Sequence, residues 1–134
     1  MANEATKVEG PYETHDMTIS GVTAIPMGTV MVLSDPRTGV ASSTTKQKFA
    51  GITDVEKKAG DNATEIGCIT KGTMLMTASG AAAIVAGDLV VTSGANVVET
   101  SITADDWLSG CIIGKALEDI AGGTTGEVKV GDII

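Results

Sequence analysis

The sequence predicts an all-β protein, a small barrel built from two similar strand-turn repeats and preceded by an extended N-terminal arm. Three observations carry that reading. Short runs rich in Val, Ile, Thr and Met alternate with turn-forming residues. No stretch has the 3.6-residue periodicity and caps of an amphipathic helix. The chain also resembles itself: shifted by 59 residues, Gly21, Ala24, Ile25, Gly28, Val32 and Ser34 fall on Gly80, Ala83, Ile84, Gly87, Val91 and Ser93.

Residues 1–16 are polar and acidic, with no clear period, and are expected to form a flexible arm that orders only against a partner surface. Residues 17–134 are expected to be one barrel domain. Its candidate strands are residues 17–20, 29–33, 39–42, 49–53, 65–70, 73–78, 88–92, 96–100, 111–117 and 127–130. Between them, Asp35-Pro36-Arg37-Thr38-Gly39 places Pro where φ is preset and Gly where a positive φ is tolerated. Ser93-Gly94-Ala95-Asn96 and Ala121-Gly122-Gly123-Thr124-Thr125-Gly126 read as turns of the same kind. Residues 103–108 allow one helical turn, capped by Thr103.

The repeat sets the organisation. Beyond the segment aligned at 59, a shift of 62 places Glu56, Ala59, Gly60 and Glu65 on Glu118, Ala121, Gly122 and Glu127, so that residues 21–72 and 80–132 read as two copies of one unit. Two such units closing on each other remove the exposed edges of an open sheet. Several strands are apolar at consecutive positions: Val30-Met31-Val32-Leu33, Met74-Leu75-Met76, Leu89-Val90-Val91 and Cys111-Ile112-Ile113. A half-exposed strand alternates, so both faces of these need cover. A chain of this length is not expected to supply a second layer, and the cover is assigned to other subunits or a partner.

Composition excludes several functions. Nine Lys and Arg against 17 Asp and Glu leave a net charge of −8. Phosphate recognition needs a basic footprint and base stacking needs aromatics, and the only aromatics are Tyr12, Phe49 and Trp107, so nucleic acid is not an expected partner. The longest fully apolar run, Ala81–Ala86, falls far short of a membrane span, and the first ten residues lack a signal-peptide core.

No enzyme chemistry is expected. His15, the only histidine, lies in the polar arm, where a nucleophile–base arrangement cannot be held. Cys68 and Cys111 sit within apolar runs as small hydrophobes, and with a distant His15 they lack metal-ligand spacing. Gly122-Gly123-Thr124-Thr125-Gly126 lacks the Gly-Lys-Ser/Thr ending of a phosphate loop. Glu56 and Glu118, at corresponding repeat positions, and the clusters Asp61/Glu65 and Asp105/Asp106 read as solvated surface. No catalytic, cofactor-binding or metal-ligating residues are therefore expected.

The run Gly80-Ala81-Ala82-Ala83-Ile84-Val85-Ala86-Gly87-Asp88-Leu89-Val90-Val91 is followed by Asn96-Val97-Val98-Glu99, Ile113-Gly114-Lys115-Ala116-Leu117-Glu118 and Gly126-Glu127-Val128-Lys129-Val130. This succession resembles the tailed-phage capsid cement (head decoration) proteins, over roughly residues 17–134. The family pattern stops at the closing strand, whereas this chain continues as Gly131-Asp132-Ile133-Ile134. The resemblance implies a β-tulip-like barrel, a homotrimer, and the major capsid protein as partner. It further implies a place on the exterior of the virion after synthesis in the host cytoplasm. The family offers no catalytic residues. Candidate interface residues are Pro11, Tyr12, Met31, Leu33, Met74, Met76, Trp107 and Leu108. The competing expectations are a virion surface module recognising a host glycan or receptor, and an accessory barrel of an enzyme.

Overall fold

A computed structural model describes residues 3–80, 82–102 and 105–131, and at Trp107 the backbone alone. The chain is all-β. In order it forms β1 (Thr6–Thr18), β2 (Val30–Asp35), β3 (Thr38–Ala41), β4 (Phe49–Thr53), β5 (Glu65–Ala78), β6 (Leu89–Thr92), β7 (Val97–Thr100), β8 (Gly114–Ala116) and β9 (Thr125–Val130). The only helix among the described residues is the single turn α1 (Asp105–Leu108); the expected cap, Thr103, lies outside them.

The strands pair in the order β1-β3-β2-β4-β5-β7-β6-β8-β9, and β5 also pairs with both β1 and β9. The two extra pairings close two five-stranded rings that share β5: β1-β3-β2-β4-β5, and β5-β7-β6-β8-β9. The barrel of two repeats thus takes the form of two joined rings, one per repeat. The candidate strands 65–70 and 73–78 are one 14-residue strand. Its N-terminal half closes the first ring against β1 and β4. Its C-terminal half opens the second against β7 and β9.

Backbone bonds show how closely the copies correspond. Gly28 N donates to Thr53 O in the first ring, and Gly87 N to Ala116 O in the second. The bridge Ile25↔Lys57 recurs as Ile84↔Ile120. Thr18↔Thr38, a parallel contact, recurs as Thr77↔Val97. The shift of 59 holds through the first half of the unit, but Asp54 N to Gly67 O recurs as Leu117 N to Glu127 O, offsets of 63 and 60. The reading at 62 is therefore corrected: Glu118 answers to Val55, and Glu56 answers to Asp119. The second copy gains residues between its third and fourth strands, where α1 sits, and loses some before its last.

Each ring has an apolar interior. Ile19, Ile25, Met31, Ala50, Ile66 and Cys68 fill the first, with Met17 against them. The corresponding Ala78, Ile84, Val90, Ile113 and Val128, with Met76, lie in the larger cluster that fills the second. At the position of Ile66 the second ring has Gly126, where an added Cβ would collide with the side chain of Ile120.

Two expectations change. Residues 6–18, expected largely as a flexible arm, are extended but run as a strand along β5, from Thr6↔Leu75 to Thr18↔Glu65. Most β1 side chains are exposed, so the segment carries no hydrophobic period to read; a backbone ladder holds it instead. In the turn after Asp35, the positive φ belongs to Arg37 (49°), and the corresponding residue of the second ring is Asn96 (61°).

Candidate interaction surface

The methionines proposed for an interface face inward. Met31, Met74 and Met76 are fully buried within the chain. Burial of an unbranched apolar side chain is worth about 1.5–3 kcal/mol, and here the chain's own strands collect it. The expectation of intermolecular cover for these strands is corrected for the same reason. Val30, Ile52 and Ile69 lie opposite one another on β2, β4 and β5, on the face turned away from the first ring's interior. All three are buried in one cluster with the second ring's core. Fewer than 60 residues close each ring, from Thr14 to Ile69 and from Gly72 to Val130, so one ring becomes the second layer of the other.

Tyr12 is half-buried and packs on Gly72, the midpoint of β5, where a Cβ would meet the ring. Its hydroxyl donates to Thr73 O at 3.4 Å, and Lys7 Nζ stands 5.4 Å from the ring centroid. The ring thus fastens β1 to β5. Pro11 beside it is exposed, on a cleft of about 420 Å³ shared with Glu9, Glu13, Lys71 and Lys129. Leu33 is 41% exposed near the end of β2, and Leu108 is 84% exposed on α1. The side chain of Trp107 lies outside the described part of the chain. The seven described candidates therefore form no single patch.

Of the exposed apolar side chains missed by the sequence reading, the two most exposed are Ile102 at 81% and Val22 at 77%. Each is a lone aliphatic residue in a polar loop. That was the available signal, and strand patterning passes over it.

The loop that carries Ile102 and Leu108 is tied down from beneath. Asp106 is buried, accepts a hydrogen bond from Ser101 Oγ at 2.8 Å and faces Lys46 Nζ at 3.4 Å. Lys48 Nζ donates to Ser109 O at 2.7 Å, Phe49 N to Gly110 O at 3.2 Å, and Cys111 Sγ to Lys46 O at 3.0 Å. The first ring's segment 46–49 thereby grips the second ring's 101–111 loop. Asp106 is structural, which corrects its reading as solvated surface.

Several other titratable groups also have structural partners. Lys57 is buried, its ammonium donating to Gly21 O and Lys58 O at 3.1 Å each and facing Asp61 at 3.3 Å. The Ala63 N–H, followed by the Lys58 N–H and the Lys57 ammonium, holds the exposed Asp61 carboxyl below its ordinary range. Glu118 accepts from Glu127 N at 2.8 Å, and Asp119 from Ala86 N at 2.9 Å. Cys68 is buried among apolar side chains, and that desolvation, with the charge of Asp16, pushes its thiol up to about 11. His15 is exposed on β1, opposite Cys68 in register. Among the described residues no three His, Cys, Asp or Glu side chains converge as metal ligands.

The larger cleft, about 660 Å³, lies where the first residues of the chain cross both rings, between Glu4, Lys7, Met27, Thr53, Met74 and Thr125. Its charged walls are engaged within the chain: Asn96 Nδ2 donates to Glu4 at 3.4 Å, and Lys7 pairs with Asp54. Among the described residues no helix is long and apolar enough to cross a membrane. Comparison with known protein-family models and with curated proteins finds no match to this chain.

Proposed function

We propose that the protein is a structural component of a virion, binding the outer surface of an expanded tailed-phage capsid and stabilising it against internal DNA pressure. Its partner in this reading is the major capsid protein, its working state a homotrimer, and its place the capsid exterior. The observation that supports the reading is where the polar and apolar groups lie. Lys57, Asn96 and Asp106 are buried and bonded within the fold, while Val22, Ile102 and Leu108 stand out from braced loops. Such an arrangement suits docking on another protein surface. The resemblance of roughly residues 17–134 to capsid cement proteins points the same way.

A protein that binds only the expanded shell stabilises that state by RT ln(1 + [L]/Kd), about 2.7 kcal/mol per site at a hundredfold excess over Kd. Summed over a shell, this resists bursting. Sedimentation of purified protein with expanded heads and with unexpanded shells tests it. Saturable binding to the expanded form alone is expected; equal binding to both, or to neither, removes the proposal. Light scattering at micromolar concentration is expected to give the trimer mass.

A further inference from the structure

We infer that the free edge of β1 at Thr14–Asp16 accepts an extended, lysine- or arginine-bearing segment of a partner polypeptide as an added antiparallel strand. The comparison of the rings carries this. In the second ring, Thr73–Leu75 of β5 pair with β9 on one edge. On the opposite edge they carry Thr6–Glu9 of the chain's own β1, beside the point where β7 joins at Thr77 and Ala78. The first-ring counterparts of Thr73–Leu75 are Thr14, His15 and Asp16. They pair with β5 on one edge, and β3 joins the other at Thr18 alone. The place filled by Thr6–Glu9 in the second ring therefore has no strand in the first, among the described residues.

The open edge is marked by its bonds. Thr18 N donates to Arg37 O at 2.7 Å, and Arg37 Nη2 donates to Asp16 O at 2.9 Å. Alternate residues of a strand direct their backbone groups to opposite edges, so Thr14 and Asp16 face the open side while His15 and Met17 face β5. The Arg37 guanidinium occupies one acceptor there, as a latch. Thr14, His15 and Asp16 are all exposed.

Charge selects the occupant. Glu9, Glu13 and Asp16 line the exposed strand, in a chain of net charge −8. A second copy's β1 laid antiparallel about His15 would set Thr14 opposite Asp16 and His15 opposite His15, offering Asp16 no lysine or arginine across the strands. A basic segment meets complementary charge, with the backbone ladder giving affinity and the side chains selection. The inference stands apart from the capsid reading, since a chain that ignores viral shells can still add a strand here.

The test is an NMR titration of the ¹⁵N-labelled full chain with a synthetic octapeptide alternating lysine with valine, and with a glutamate–valine octapeptide. Saturable shifts and about tenfold slower amide exchange at Thr14 and Asp16 are expected with the lysine peptide, and about tenfold weaker binding of the glutamate peptide. Asp16→Lys is expected to reverse that preference without changing the melting temperature, and Arg37→Ala to tighten the lysine peptide by freeing the Asp16 carbonyl. Equal binding of the two peptides, shifts confined to other strands, or no saturation at millimolar peptide overturns the inference.

Discussion

The two rings share a fold and differ on one outer row of residues. In the first ring the row is Val30, Ile52 and Ile69, all fully buried. In the second it is Leu89, Lys115 and Lys129, paired in the same register and reaching solvent. One backbone unit thus serves as an inner layer where its flank is aliphatic and as an outer layer where its flank carries charge. A second difference is inside. Where the first ring has Ile66 and a buried Lys57, the second has Gly126 and Ile120. The bulk moves from the closing strand to the bridging loop, and Gly126 leaves the room that Ile120 fills.

The largest effect is expected from moving the charged flank inward. Ile69→Lys puts an ammonium in a fully apolar site and is expected to cost at least ~3 kcal/mol in urea unfolding. The reciprocal Lys129→Ile is expected to stay within ~1 kcal/mol. Equal costs would break the comparison. Next, Gly126→Ala overpacks against Ile120 and is expected to cost about 2 kcal/mol. Adding Ile120→Val is expected to restore most of that, and a purely additive double mutant would show that the two positions do not share one volume.

At the left-handed turn position, Asn96→Ala strands the buried Val30 N–H, which now donates to Asn96 Oδ1 at 2.8 Å, and is expected to cost about 1–2 kcal/mol. Arg37→Ala at the matching turn of the first ring is expected to change stability by less than ~0.5 kcal/mol. The smallest effect is a matter of pH. The Cys68 thiol is raised from 9.0 to about 11, so the folded chain keeps a proton that the unfolded chain loses. Its contribution is complete below pH 9 and is lost as pH rises toward 11. The second ring has Val128 at this position, and Cys68→Val is expected to flatten that alkaline slope in chemical denaturation. An unchanged slope would place its source elsewhere.

The strands of both rings were legible because Val-, Ile- and Thr-rich runs end at turn residues; Phe49–Thr53 was bounded to the residue. The first part of the repeat was legible because its loops keep their length. The later part was not, since chance matches such as Glu56 with Glu118 outweighed the changes in loop length that backbone bonds reveal. β1 escaped notice because pairing along one edge leaves no periodic mark on its side chains. The need for cover on both faces of β2 was read correctly from Val30-Met31-Val32, but its source was not. Nothing local to those residues tells whether the covering layer is the same chain or another. That misplacement put Met31, Met74 and Met76 on a surface they do not reach.

Lys115 and Lys129 also bring a series to its end. The first unit offers an aliphatic flank, and the second settles against it. Were that flank repeated on the second unit, it would invite a third, and head-to-tail contacts that never close build fibres. Two ammonium groups on the second unit's outer row act as the terminal module of a solenoid does, giving that row no aliphatic flank for a further unit of the same kind to settle against.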